Sequence, residues 1–147
     1  MWIVKPTTFM NLSGAAVEPF AAWRMLDPAR ILVVTDDLDL PLGKLRIRPH
    51  GGPGTHNGMR SIVNRLASDR FPRLRVGIGP ARTDAARHVL EAFTVSEEGV
   101  IEIAVEEAAD AIRFWIATGD LEACMTRFHS RWTEGEGVAR KPDRSID

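Results

Sequence analysis

ILVVTDDLDLP, at residues 31–41, joins an uninterrupted apolar run to a cluster of carboxylates. An apolar run bounded by polar residues is typical of a strand that is covered on both faces, so residues 31–34 are predicted to be a strand. Asp36, Asp37 and Asp39 follow it, at the kind of strand end where α/β proteins place functional side chains. Clustered carboxylates can bind a metal, orient a histidine or act as acid and base. Because no metal-ligand spacing accompanies them elsewhere in the chain, we expect no metal site.

On both sides of this segment, the sequence alternates between patterns typical of strands and patterns typical of helices. Apolar or alternating residues predict three further strands, at residues 2–4, 44–48 and 74–78. Apolar residues at helical spacing predict four helices: from Ser13 or Gly14 to Trp23 and Met25, from Gly58 to Ala67, from an N-cap at Ser96 to Gly119, and from Asp120 to about Phe128. Because proline disfavours a helix interior, Pro19 moves the expected start of the first helix towards Glu18. Interleaved strands and helices predict one α/β domain with a mixed sheet at residues 1–132, followed by a polar, disordered tail at 133–147.

The composition restricts the class of protein. The chain has 147 residues, of which 44% are hydrophobic and 27% charged, as in an ordinary globular domain. No apolar run approaches the roughly 20 residues of a membrane helix, and the N-terminus does not resemble a signal peptide. The single cysteine, Cys124, lies in an apolar helical pattern and is predicted to be a buried filler. We therefore expect a cytoplasmic protein that does not bind membranes.

The net charge of −1 conceals two oppositely charged halves. Between Lys44 and Arg87 the chain has ten basic residues and two acidic ones, whereas from Glu91 to Glu122 nine acidic residues accompany Arg113 alone. A polyanion would be attracted to the basic half whatever the total charge. A solvated charged surface without a partner is the alternative explanation.

A glycine-rich stretch, GGPGTHNG at residues 51–58, joins the basic strand to a predicted helix. Its glycines could let backbone N–H groups approach an anion at the helix N-terminus. The alternative is a tight turn in which His56 or Asn57 caps the helix. The spacing matches neither a Walker loop nor a dinucleotide-binding fingerprint.

Three motifs, which follow one another along the chain, together identify a protein family far more specifically than any one of them does alone. PTTFMNLSG at residues 6–14, DDLDLP at 36–41 and the glycine-rich loop ending in HNG at 56–58 closely resemble the bacterial peptidyl-tRNA hydrolase family, and RLRVGIG at 73–79 also matches. The resemblance covers residues 2 to about 131. It implies a single three-layer α/β/α domain with a mixed twisted sheet. It also implies cleavage of the ester bond of peptidyl-tRNA, which releases tRNA and peptide without a cofactor, and a full-length protein that is a monomer.

The same resemblance implies roles for individual residues. Asp36 matches the carboxylate that orients the general-base histidine of the family. The positions that match substrate-binding residues are Phe9, Met10, Asn11, His56 and Asn57. The positions that match tRNA phosphate contacts are Arg46, Arg48 and Arg75, which agrees with the alternating basic strand.

The family pattern has a further N-terminal segment before the match to Trp2. That segment contains the first strand or strands, a helix and the catalytic histidine, so we expect this chain to be truncated relative to the family and impaired in hydrolysis. A gene start placed at an internal methionine, a fragment, and a shortened homologue all agree with this expectation. The alternative function is a non-catalytic tRNA-binding module.

Overall fold

A computed structural model describes residues 1–81 and 84–128 as a three-stranded mixed sheet with flanking helices. The strands are β1 (Val33–Asp37), β2 (Leu45–Arg48) and β3 (Arg73–Gly77). The helices are α1 (Ser13–Trp23), α2 (Asn57–Leu66), α3 (Ala85–His88), α4 (Val95–Thr118) and α5 (Leu121–Phe128). Short 3₁₀ turns lie at Met10–Leu12 and Pro28–Arg30. The expected tail, residues 133–147, lies outside the described residues.

The sheet has the strand order β1-β3-β2, with β3 parallel to β1 and antiparallel to β2. The predicted mixed sheet is therefore confirmed.

One core cluster joins Leu45, Ile47 and Leu74 of the sheet to small side chains of α4 and to Cys124 of α5. A second cluster joins Met59 and Ile62 of α2 to Phe71, with Val17 of α1 and Val33 of β1 packed against it.

Most predicted elements are confirmed, with shifted ends. β1 begins two residues later than predicted and extends through Asp36 and Asp37, so these carboxylates belong to the last residues of the strand. In α4 the predicted cap at Ser96 is wrong, because Thr94 and Glu97 form a reciprocal capping box. Gly119 ends this helix with a φ of 67°, in the left-handed region that glycine adopts at low cost.

The predicted strand at residues 2–4 is wrong. No residue before Met10 belongs to a helix or strand, and within the described part of the chain β1 pairs only with β3. Trp2 instead packs edge-on against Phe20 and Trp23 of α1, with ring centroids 6.1 and 6.3 Å away. A strand forms only where a neighbouring strand satisfies its backbone groups, and none of the described strands pairs with this segment. In the described residues no helix is long and apolar enough to cross a bilayer.

The expected displacement of α1 towards Glu18 is also wrong, because the helix begins at Ser13 and contains Pro19. The first turn of the helix packs against α2, which fixes its position. The Gly14 N–H donates to Ser61 Oγ at 2.9 Å, and Ser13 Oγ donates to the Met10 carbonyl at 2.8 Å. Tertiary contact at this end of the helix outweighs the local cost of the proline.

Gly14 lets the two helices approach each other. A Cβ at this position would clash with the Ser61 carbonyl of α2, and both Ser13 and Gly14 are buried. The motif at residues 6–14 therefore has two parts: Ser13 and Gly14 dock α1 on α2, whereas Phe9, Met10 and Asn11 remain exposed.

We predict that Gly14→Ala lowers the free energy of unfolding by about 1–3 kcal/mol, the usual cost of overpacking, because the added methyl group separates α1 from α2. The matched control is Gly99→Ala in α4, where an added Cβ meets no atom within 4 Å. That control should stabilise the protein by about 0.5–1 kcal/mol through helix propensity. Urea denaturation of both variants measures the difference, and equal stability of the two would contradict the close approach of the helices.

Candidate active site

His56 caps α2 and also contacts the end of β1. Its Nδ1 accepts a hydrogen bond from the Met59 N–H at 3.1 Å, and its Nε2 lies 3.2 Å from Oδ1 of Asp36. Because Nδ1 is an acceptor here, the hydrogen-bond pattern assigns the ring proton to Nε2, which donates to Asp36. Of the two interpretations of the glycine-rich stretch, the structure therefore favours the capped turn.

The three carboxylates after β1 have different partners. Asp36 contacts His56, which by its hydrogen bond lowers the pKa of the carboxyl group below its usual value, against the raising effect of burial. Asp37 is buried: its Oδ1 accepts from the Asp39 N–H at 2.8 Å, and its Oδ2 lies 3.2 Å from Arg75 Nη1 without hydrogen-bond alignment. Asp39 is exposed. No three His, Cys, Asp or Glu side chains converge on a metal-sized site within residues 1–81 and 84–128.

The first motif lies beside this pair. A Cβ at Gly58 would lie 2.5 Å from Sδ of Met10 and 3.0 Å from Cε1 of His56, so Met10 and His56 both contact the bare backbone of Gly58. The Met10–Leu12 turn packs on α2. A side chain at residue 58 would force Met10 to shift, so the glycine allows Met10, His56 and Asp36 to lie together as observed.

The remaining predicted substrate residues lie at the margin of this cluster and are exposed. Phe9 is 81% exposed, Asn11 is exposed within the Met10–Leu12 turn, and Asn57 is exposed at the start of α2. Among the described residues, no hydrogen bond engages the side-chain amide of Asn11 or Asn57. Their donors and acceptors are therefore available to a ligand.

The predicted phosphate contacts lie in cross-strand rows of the sheet. Arg46 of β2 is directly opposite Arg75 of β3, and Arg48 is opposite Arg73. Arg48 is exposed and Arg46 half-buried, and neither forms an ion pair with a described residue. Arg75 is less available, because its side chain is one quarter exposed and lies beside Asp37. Like charges placed opposite each other destabilise a sheet, so this face favours a bound anion.

Sequence reasoning missed Arg73, which it counted only as one more basic residue. Arg73 is 1% exposed, and its guanidinium donates to the Gly52 carbonyl in the glycine-rich stretch. The alternation of Arg73 and Arg75 with Leu74 and Val76 places both arginines on one face of β3 but does not show that Arg73 alone is buried.

We predict that Asp36→Asn lowers stability at neutral pH and that the deficit disappears in acid. A lowered folded-state pKa gives a stabilisation that is present above the unfolded value of about 3.9 and is lost as the pH falls through the folded value. Urea denaturation at pH 7, 5 and 3 should show wild type and variant converging below about pH 4. The matched control is Asp39→Asn, which removes an exposed carboxylate of the same loop that does not contact His56. A deficit that is constant down to pH 3 would contradict the assigned contact.

Comparisons with known proteins agree with the motifs. The profile of the peptidyl-tRNA hydrolase family matches residues 1–136. The peptidyl-tRNA hydrolase of Chloroflexus aggregans is 52% identical over 130 residues, which are 86% of this chain and 69% of that protein. That of Synechococcus elongatus is 42% identical and is covered to 66%. The crystal structure of the peptidyl-tRNA hydrolase of Acinetobacter baumannii superposes with a TM-score of 0.79 at 32% identity, over 85% of this chain and 64% of that one. The chain therefore spans about two thirds of the length of these relatives, and it belongs to the peptidyl-tRNA hydrolase family.

Proposed function

We propose that this chain acts in the hydrolysis of the ester bond that joins a peptide to tRNA, in the cytoplasm. The observation that carries the proposal is the meeting of the three motifs at one ring: His56 contacts Asp36 directly and shares Gly58 with Met10. The relatives named above carry that activity in their names. The polar side chains around the ring suit an ester better than a charged cofactor, because they are mainly uncharged amides.

The exposed residues around His56 are proposed to hold the substrate. Asn11 and Asn57 each offer an amide that can donate to the ester carbonyl and accept from a ribose hydroxyl or a peptide N–H. Phe9 and Met10 offer an exposed aromatic and an exposed thioether surface at the same edge. In this proposal His56 holds the substrate and does not carry out the chemistry.

His56 is poorly suited to activate water. A general base needs a free lone pair, and the Nδ1 lone pair of His56 accepts the Met59 N–H while Nε2 carries the proton donated to Asp36. Taking up a second proton would also leave the Met59 N–H without its cap acceptor at a helix N-terminus.

The general base is therefore proposed to be a different imidazole, as the family resemblance implies. A carboxylate has about four lone-pair sites, so Asp36 can orient a second imidazole while it accepts from His56. Without that imidazole, residues 1–147 should bind substrate and hydrolyse it slowly. On the same basis we propose that the full family domain has the three-layer α/β/α arrangement and is monomeric.

Hydrolysis of an N-blocked aminoacyl-tRNA with a labelled acyl group tests this proposal. We expect this chain to be about 10²–10⁴-fold slower than the Chloroflexus aggregans relative, the usual contribution of a general base. His56→Ala should weaken binding without removing a further factor of that size. Turnover equal to that of the relative and abolished by His56→Ala would show that His56 is the base.

A second candidate function is tRNA binding without chemistry. It is favoured by Arg46 and Arg48, which have no ion-pair partner within residues 1–81 and 84–128. Under both functions, Arg46→Ala combined with Arg48→Ala should weaken tRNA binding and reduce the slope of log Kd against log salt by about 0.7–0.9 per lost phosphate contact. The matched control is the pair Arg87→Ala and Arg113→Ala, which removes two arginines that each pair with a carboxylate three or four residues away in the chain. An unchanged slope in the first variant would remove this face from the tRNA interface. Salt-dependent binding without measurable hydrolysis would select the second function.

A further inference from the structure

Arg73 carries a positive charge in the interior of the protein. It lies in β3 with 1% of its surface exposed, and burial, followed by the charge of Arg75, lowers its pKa. Burying a charge is costly unless hydrogen bonds compensate for it. A buried arginine therefore needs hydrogen-bond partners that offset the cost of burying its charge.

Those partners are backbone carbonyls from two different loops. Nη1 donates to the Gly52 carbonyl at 3.0 Å and Nη2 donates to the Asp69 carbonyl at 2.9 Å. The guanidinium lies over the ring of the fully buried Phe71, 4.6 Å from the centroid. No carboxylate of the described residues forms an ion pair with it, and Nε has no partner there. Its positive charge is therefore stabilised by main-chain carbonyl dipoles.

The two carbonyls belong to the loops at either end of α2. Gly52 lies in the segment between β2 and α2, residues 49–56, called here the glycine loop, and Asp69 lies in the connection from α2 to β3. The same Asp69 carbonyl accepts the Gly51 N–H at 3.2 Å. Arg73 and Gly51 therefore attach the glycine loop to the α2–β3 connection by three hydrogen bonds around one point.

The glycine loop ends at the candidate active site. Gly51 has a φ of 144° and Gly54 a φ of 59°, backbone conformations that favour glycine. The loop therefore has no side chain at either position. A Cβ at either Gly51 or Gly52 would contact nothing within 4 Å, so packing does not hold this part of the loop. Its far end is His56, and Asn57 follows.

We propose that Arg73 is a positioning residue, whose bidentate contact with the glycine loop and the α2–β3 connection fixes the approach of the chain to His56 and Asn57. This role rests on the proposed function in so far as those two residues bind substrate. The guanidinium fork suits the task, because its two parallel donors fix an orientation that a single ammonium group does not. Arg73 is distinct from Arg46 and Arg48 in that burial excludes it from contact with a phosphate.

Arg73→Lys tests the proposal in the free chain, because it keeps the charge and most of the volume but loses the fork. We expect hydrogen exchange of the Gly51 and Met59 amides to accelerate by about tenfold or more relative to amides in the middle of α4. Arg70→Lys is the matched control, an exposed arginine three residues away, and should leave these rates unchanged. An Arg73→Lys variant with wild-type exchange at Gly51 and Met59 would overturn the proposal.

A measurement on the unaltered chain covers the case in which Arg73→Lys fails to fold. The Nη protons of Arg73 should exchange with water at least about tenfold more slowly than those of the exposed Arg70. Equal rates would overturn the proposal without any variant.

Binding of tRNA then separates this proposal from the proposed function. Arg73→Gln, which removes the charge, should leave the salt slope of tRNA binding at its wild-type value, and a reduced slope would make Arg73 a phosphate contact and contradict its role as a positioning residue. If the wild-type chain does not bind tRNA at all, the proposed function fails, and the exchange rates of the free chain still decide whether Arg73 fixes the loop.

Discussion

A single imidazole, that of His56, connects the end of the sheet to the start of α2. Its Nδ1 accepts from the Met59 N–H and its Nε2 donates to Asp36, so the ring position is set by a helix and by a strand at once. Neither contact alone would fix the ring, because a cap leaves it free to tilt and a half-buried carboxylate that is still in contact with water holds a partner weakly. Together they place the second and third motifs of the sequence in one cluster, and Gly58 admits Met10 of the first.

Charge is arranged around this cluster in two ways. Arg73 is buried and its charge is satisfied by the carbonyls of Gly52 and Asp69, whereas Arg46 and Arg48 remain accessible on the neighbouring strand. Sequence alone shows only a run of basic residues. The burial of Arg73 in the folded chain divides these residues into one that shapes the protein and others that can contact a polyanion.

The sequence predicted the type of nearly every element, because the type of an element follows from local patterns. The errors arose where distant contacts decide. α1 begins at Ser13 despite Pro19 because Gly14 docks on α2, and Trp2 is not in a strand because no described strand pairs with it. The contact between His56 and Asp36 could not be read from a separation of 20 residues. The roles of the site residues remain predictions, whereas the family is established by the comparisons.

The state of the His56 ring tests the central claim most directly. Long-range ¹H–¹⁵N correlation spectra distinguish an Nε2–H ring from an Nδ1–H ring and from the charged form. The account predicts a single Nε2–H tautomer at pH 8, with the Nδ1 shift of a hydrogen-bond acceptor. A ring that averages between the two tautomers, or one that carries its proton on Nδ1, would contradict the contacts with Met59 and Asp36 on which the proposed site depends.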